Sequence, residues 1–264
     1  RRLDVGLTAN TVEHTNFEWI PSEQIMQPVG PPDVLATLIP RVGYVWDNAE
    51  WEYLHPVKGW RTNIWMSASP KWNDAGIEFQ TLGFDLRRYF RLFAGTSTAF
   101  RLTGGASFGP DAQNFLVGGL PWIFSSERTG VYGARYKEDP LSLEEHRLKT
   151  IYFSEYVTPL RGAQMMEIVG QQSLLLNMEY RFPFLLYYFP TLRILGQLSG
   201  VAFIDAGFVW DKSDSRTDQI ITYGWGPRFI FLGLPFQLDY AWVLDPPRYG
   251  DREHHWYLTI GLDF

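Results

Sequence analysis

Residues 256–264 read Trp-Tyr-Leu-Thr-Ile-Gly-Leu-Asp-Phe, and their side chains alternate between large apolar ones and mostly polar or small ones. Successive side chains of an extended strand point to opposite faces, so one face of this segment is entirely apolar. The segment is therefore predicted to be a β-strand with one apolar surface. That surface carries Trp256, Leu258, Ile260, Leu262 and Phe264.

The same period-two alternation recurs in the segments that precede this one. Residues 173–182, 201–210, 222–231 and 236–242 place large apolar side chains in one phase, while Arg, Asp, Glu, Asn, Gln and Gly recur in the other. Leu175 is out of phase in the first segment. A soluble β-sandwich would have to bury the charged phase or expose the aromatic one. A transmembrane barrel with lipid outside and a polar lumen accommodates both.

The composition agrees with this interpretation. Aromatic residues make up 17% of the chain, with 11 Trp and 14 Tyr, and membrane barrels use such residues as belts at both interfaces. No apolar run approaches the roughly 18 residues that a membrane helix needs. The sequence contains no cysteine, which rules out disulfides and thiolate metal sites. The net charge of −6 argues against a nucleic-acid partner, which would require a basic patch.

The alternation predicts about 10 to 12 strands in this chain. A β-bulge is predicted near Gly83, because the apolar phase changes there from odd to even positions. The stretch over about 109–170 has clustered charges and little alternation, and five strands follow it. The earlier strands are predicted over residues 1–13, 39–47, 59–69, 76–93 and 96–108, and residues 16–33 are predicted to be a Pro-rich loop or an irregular pair of strands.

We therefore expect an all-β fold, a transmembrane antiparallel β-barrel that forms one domain over residues 1–264. Its long lumenal or extracellular loop covers about residues 109–170. The chain opens at Arg1 without an initiator methionine or a signal segment. We accordingly expect a preceding N-terminal region to be absent and these strands to fit into a complete barrel of about 16 strands.

Six short motifs lie in order along the chain. The first three are Tyr44-Val-Trp-Asp47, Pro56-Val-Lys-Gly59 and Phe115-Leu-Val-Gly-Gly119. The next three are Tyr156-Val-Thr-Pro-Leu-Arg-Gly-Ala163, Leu176-Asn-Met-Glu-Tyr-Arg-Phe-Pro-Phe184 and Gly200-Val-Ala-Phe-Ile-Asp-Ala-Gly207. Together, over about residues 40–264, they resemble the C-terminal barrel of the bacterial surface antigen family, the BamA- and TamA-type insertase and translocase barrels.

The resemblance implies that the long loop folds back into the lumen, where the inner wall of the barrel binds its arginine. Phase counting agrees, because Glu179, Phe203 and Asp205 all fall on the lumen phase of their strands. A guanidinium there would gain charge-assisted hydrogen bonds and a cation–π contact. Solvated channel carboxylates remain the alternative interpretation of Glu179 and Asp205. The set carried over from the family, named the loop lock, is Arg161, Gly162, Glu179, Phe203, Asp205 and Gly207.

Two features of the loop depart from the family pattern. Ala163 follows the Arg-Gly pair, where the family motif has an aromatic residue. In addition, about 40 residues separate Gly119 from Arg161, whereas many members of the family run the two motifs nearly together.

Enzymatic and metal chemistry find little support in the sequence. The five histidines have no Ser or Asp at a motif spacing that would make a hydrolytic site. His254 and His255 are adjacent, and neighbouring side chains on a strand point to opposite faces, so they are poorly placed to share a metal. We expect no enzyme activity, no cofactor and no metal site.

Two functions remain open on the sequence. In the first, the barrel assists insertion or translocation of proteins at the bacterial outer membrane, with the terminal strand 256–264 acting as barrel signal and as one lip of a gate. In the second, it is a passive anchor or scaffold that holds a periplasmic domain or a larger complex. A diffusion porin is disfavoured because a bound loop would plug the lumen. The expected partners are outer-membrane lipid and unfolded client proteins or envelope complex subunits.

Overall fold

The computed structural model describes residues 1–15, 17–20, 25–28, 30–31, 33–52, 55–72, 76–93, 95–119, 124–125, 154–183, 198–212, 217–245 and 254–261. Every regular element in these ranges is a β-strand, and the strands are numbered β1 to β17 in chain order. Within the same ranges, no helix has the length and hydropathy needed to span a membrane.

Ten long strands in the described residues build the main sheet. They are β1 Arg2–His14, β4 Asp33–Asp47, β6 His55–Ser69, β7 Phe79–Arg91, β8 Ser97–Phe108, β13 Gln172–Pro183, β14 Ser199–Trp210, β15 Thr217–Phe231, β16 Leu234–Asp245 and β17 His254–Ile260. The remaining strands are short: β2 Phe17–Ile20, β3 Ile25–Pro28, β5 Glu50–Glu52, β9 Phe115–Val117, β10 Phe124–Ser125, β11 Glu155–Val157 and β12 Ile168–Gly170.

The long strands form an antiparallel meander. Each pairs with the next in the order β1-β4-β6-β7-β8-β13-β14-β15-β16-β17, and the short β10 pairs with the far edge of β17. In the described residues, no ladder joins β1 to β17. The predicted all-β antiparallel fold and the predicted number of strands are confirmed.

The sheet curls around the segments that connect β8 to β13. Glu155 in that connection accepts a hydrogen bond from Arg41 on β4 at 3.1 Å, while the backbone N–H of Gly162 donates to Tyr257 on β17 at 3.1 Å. These two strands lie near opposite ends of the strand order, so a flat sheet could not bring both to one loop. The described segments around Glu155 and Gly162 therefore lie on the concave side of the sheet.

The two phases of the strands face different environments. On β13 the inner phase, toward the loop, includes the fully buried Asn177, while Leu176 and Met178 on the outward phase are exposed. On β14, Asp205 is fully buried and its neighbour Ile204 is 53% exposed. Apolar residues outside and polar residues inside are the arrangement expected of a barrel surrounded by lipid.

The prediction of a β-bulge near Gly83 is wrong. β7 pairs with β6 and with β8 in continuous register through this position. The apparent change of phase arises because Phe79 is an inner-phase residue of β7 and packs with Ile77 in a buried cluster. A register shift does occur in β15, between Ile221 and Thr222.

Candidate functional site

The connection between β8 and β13 forms a small sheet on the concave side of the main sheet. Its central strand is β9, which pairs in parallel with β11 and antiparallel with β12. A single bridge between Gly119 and Leu160 extends the pairing toward the Arg-Gly motif. The two family motifs that the sequence separates widely are thus neighbours in space.

An apolar cluster attaches this small sheet to the wall. Leu160 and Val117 from the connection are fully buried, as are Leu175 on β13 and Val209 on β14. Leu175, which is out of phase in the sequence pattern, faces inward because it belongs to this cluster. The full set of buried members is Phe115, Val117, Val157, Leu160, Ala163, Ile168, Leu175, Val209 and Ile220.

Arg161 lies just after this cluster and makes ionic contacts with two strands of the wall. Its Nε and Nη2 donate to Asp205 at 2.7 and 2.8 Å, and its Nη1 donates to Glu179 Oε1 at 2.5 Å. The backbone N–H of Arg161 adds a further bond to Asp205 at 3.2 Å. Its guanidinium carbon lies 3.6 Å from the ring centroid of Phe203. The structure thus brings together these four residues of the predicted set.

The register of two neighbouring strands explains why these groups converge. Glu179 on β13 pairs directly with Phe203 on β14, and Asn177 pairs directly with Asp205. Alternation places all four side chains on the inner face, in two adjacent rows. A guanidinium inserted between the rows can therefore bind both carboxylates and stack on the ring.

The charges at this site are balanced. Besides Arg161, the carboxylate of Glu179 accepts a hydrogen bond from Nε of Arg181 at 2.8 Å. Two buried cations thus face the two buried carboxylates of Glu179 and Asp205. Burial alone would lower the pKa of Arg161, but the charges of Asp205 and Glu179 raise that pKa well above its ordinary value. The side chain therefore remains charged inside the lumen.

Two glycines of the predicted set make room for the connection. Gly162 has a φ of 91°, and a β-carbon there would lie 3.1 Å from Thr222 and 3.2 Å from Ala241. At Gly207, a β-carbon would lie 2.7 Å from Cδ2 of Leu160. A side chain would strain the backbone at Gly162, and at Gly207 it would displace the side chain of Leu160.

Residues 35–264 match the Omp85 superfamily domain, which covers most of the chain. The chain belongs to the Omp85 superfamily. The Omp85 match and the sequence motifs agree on a barrel of the outer-membrane insertase and translocase type. No functionally curated protein matches the sequence.

The Omp85 assignment agrees with a solved structure. The crystal structure of BamA from Haemophilus ducreyi lacking POTRA domains 1–3 aligns with 98% of this chain and 51% of that chain, with a TM-score of 0.56 and 15% sequence identity. This chain thus spans about half the length of that chain. At this identity the alignment shows a shared fold, so the resemblance to a BamA-like barrel is confirmed.

The structure of this Omp85 domain also shows contacts that the sequence did not indicate. The hydroxyl of Tyr257 on β17 accepts from Gly162 N–H and donates to the carbonyl of Ala163 at 2.9 Å. Asn177 donates both to Asp205 and to the carbonyl of Pro159, each at 2.8 Å. Asn177 lies in the motif over residues 176–184, two positions before Glu179, so the sequence does carry a signal for it. The alternation of 256–264 places Tyr257 on the inner phase, but nothing in the sequence indicates which group its hydroxyl binds.

Besides Arg161 and Tyr257, a second group of contacts holds the connection, from β7 and β8. Nη1 of Arg101 on β8 donates to the carbonyl of Thr158 at 2.5 Å, and its other nitrogens donate to Asp85 on β7 at 2.7 and 3.1 Å. Arg87 also binds Asp85, with two bonds of 2.8 Å. The connection is therefore bound from strands that precede it as well as from strands that follow it.

The apolar face of the terminal strand lies outward. Trp256 and Ile260 are 38% and 43% exposed, while Tyr257 between them is fully buried. Leu258 shares their phase, and Leu262 and Phe264 lie outside the described residues. His254 is exposed and His255 buried, so the two histidines face opposite sides of β17.

Proposed function

We propose that this Omp85 barrel assists insertion or translocation of proteins at the outer membrane, in a non-enzymatic reaction. The loop lock binds the connection between β8 and β13 inside the lumen. The edge of β17 then serves as the site at which a client strand pairs. Client proteins and outer-membrane lipid are the partners that this activity requires.

The observation that carries the proposal is the buried Arg161 between Glu179 and Asp205. An uncompensated charge in such a place would be costly, so this arrangement stabilises the loop only when it is complete. A lumen that contains an anchored loop cannot serve as an open diffusion channel. The position of the loop therefore favours transport through the edge of the sheet over transport through its centre.

A second observation concerns the edge of β17. Phe124 and Ser125 pair antiparallel with Leu258 and Tyr257, so this edge accepts a short strand from elsewhere in the chain. Backbone pairing of this kind does not depend on one particular sequence, which suits a protein that receives many clients. The same residue, Tyr257, binds the tip of the loop through its hydroxyl. Loop and edge are thereby connected by one side chain.

The test is reconstitution of the purified full-length protein in liposomes, followed by measurement of the folding rate of an unfolded barrel client. We expect faster folding than in liposomes without the protein. Arg161→Ala should abolish the acceleration, because the loop loses its ionic contacts with β13 and β14. Arg2→Ala is a suitable control, since Arg2 is an exposed arginine whose ion pair in the described residues is with its neighbour Asp4.

The passive anchor or scaffold predicts a different result. In that case the wild-type protein folds into the liposomes, as shown by its gel mobility, yet leaves the rate of client folding unchanged. Such an outcome would contradict the proposed activity. Equal acceleration by the wild type and Arg161→Ala would retain the activity and remove the loop lock from its mechanism.

A further inference from the structure

Arg88 on β7 differs in its orientation from the other arginines of the long strands. It pairs in register with Trp60 on β6 and Phe100 on β8, which places it on the outward phase. The other arginines of the ten long strands occupy inner-phase positions, as Arg87 and Arg101 do. An arginine on the outward face of a membrane barrel is unfavourable unless a polar group from the surroundings meets it.

The immediate environment of Arg88 is aromatic. Its guanidinium carbon lies 4.2 Å from the ring centroid of Trp60 and 4.7 Å from that of Phe90. Its Nε is buried and has no hydrogen-bond partner among the described residues. By contrast, Arg87 and Arg91 on the same strand form ion pairs with Asp85 and Glu52. The two rings orient a cation whose hydrogen-bonding capacity is not used by the described part of the protein.

The position of Arg88 along the strand places it near one rim of the barrel. β7 ends at Arg91, and residues 92–96 lead directly into β8. In the antiparallel order this rim also carries the short turn between β15 and β16 and lies opposite the rim from which the long connection leaves. Short turns are periplasmic in outer-membrane barrels, and aromatic residues mark the depth of the lipid headgroups.

We propose that Arg88, Trp60 and Phe90 form a binding site for the phosphate of a phospholipid headgroup at the periplasmic rim. The guanidinium donates to the phosphate oxygens, and the two rings hold the guanidinium at the depth of the headgroups while their apolar edges contact the acyl region. The source of the phosphate is lipid, because the site lies on the outward face and not in the lumen. The site requires only that the barrel lies in a membrane, so it is independent of insertase activity.

The experiment is native mass spectrometry of the folded full-length protein in detergent micelles, titrated with phosphatidylglycerol. We expect Arg88→Gln to weaken the binding of the first lipid by about fivefold, the contribution of one cation at a membrane surface. Trp60→Leu, which retains the charge and removes one ring, should weaken it as well. Lys58→Gln is the matched control, because Lys58 shares the outward phase of β6 but already pairs with Glu50 at 3.3 Å.

Heat-dependent gel mobility establishes that each variant is folded. Unchanged lipid binding in both folded Arg88→Gln and folded Trp60→Leu would overturn the proposal. A second arm adds inorganic phosphate as a competitor of phosphatidylglycerol. Displacement of the lipid by inorganic phosphate at equal concentration would overturn the assignment to lipid and indicate a site for free anions, whereas persistence of the bound lipid would support the headgroup assignment.

Discussion

At the scale of single residues, three hydrogen bonds join Arg161 to Asp205, and both residues are buried. Arg161→Ala leaves Asp205 and Glu179 buried with one cation fewer, and breaking a buried pair in this way costs about 3 to 5 kcal/mol. We expect Asp205→Ala to be similarly destabilising. The double variant should lose much less free energy of unfolding than the two single variants lose together. Denaturant unfolding of the folded protein in micelles measures all three values.

The exposed pair of Arg2 and Asp4 supplies the control for this cycle. Their side chains are 71% and 46% exposed, and the same three variants there should show a coupling below about 1 kcal/mol. Full additivity at Arg161 and Asp205 would mean that the two residues do not interact in the folded protein.

Gly207 gives a second prediction at this scale. Gly207→Val should push Leu160 away from the wall and loosen the loop tip, because a β-carbon already falls at 2.7 Å from Leu160. The natural chain has no cysteine, so Ala163→Cys, introduced into full-length protein without other cysteines, reports on the buried tip. We expect a maleimide to label this cysteine slowly in the Ala163→Cys parent protein and rapidly when Gly207→Val is added to it.

Gly6→Val provides the comparison for the labelling experiment. A β-carbon at Gly6 on β1 meets no atom within 4 Å, so the labelling rate should equal that of the parent. Slow labelling with Gly207→Val would show that the wall tolerates a side chain at this position and that the glycine is not needed to seat Leu160.

At the scale of elements, the sequence predicts the strands better than it predicts the connection between β8 and β13. The five strands after residue 170 were recognisable because each has polar and apolar phases that differ strongly over seven or more residues. In β7 the pattern led to the wrong prediction of a bulge, because Phe79 is apolar yet faces inward. An inner wall is polar only where water or charged groups meet it, and here part of it meets an apolar cluster.

The connection itself could not be derived from periodicity. β9, β11 and β12 have three residues each, too few for a period to appear, and β9 and β11 are parallel strands about 40 positions apart. Their order depends on side chains of the main sheet that are distant in sequence. The family motifs indicated Arg161 and its wall partners, but contacts through single hydroxyl or amide groups, as at Tyr257 and Asn177, followed only from the structure.

Tyr257 yields a prediction about the link between loop and terminal strand. Tyr257→Phe removes a hydroxyl that satisfies the buried N–H of Gly162 and the carbonyl of Ala163, which should cost about 1 to 3 kcal/mol. Denaturant unfolding measures this cost. Tyr223→Phe, at an exposed outward position, should change the free energy of unfolding by nearly zero. A loss at Tyr257 no greater than at Tyr223 would exclude a stabilising link between the loop and β17.

At the scale of the whole molecule, the described segments of the connection lie in the space that the sheet surrounds. A barrel of about 16 strands without a plug is wide enough for an aqueous channel. We therefore expect full-length protein in which a short Gly/Ser linker replaces residues 110–169 to show much higher single-channel conductance in planar bilayers than the wild type. Replacement of residues 126–150 alone retains β9, β11 and β12 and serves as the control, so conductance that rises only with the larger replacement is attributable to those strands.

The anchoring of one loop from both sides has a consequence for the kinetics of folding. Arg101 comes 57 positions before its contact at Thr158, Asp205 follows Arg161 by 44 positions, and Tyr257 follows Gly162 by 95. Contacts between residues so far apart in sequence form slowly, because long stretches of chain must be ordered first. The contact of Tyr257 spans the most chain of the three, so we expect it to form last. Burial of Gly162 and Ala163 is therefore expected to accompany the docking of the C-terminal strand onto the sheet.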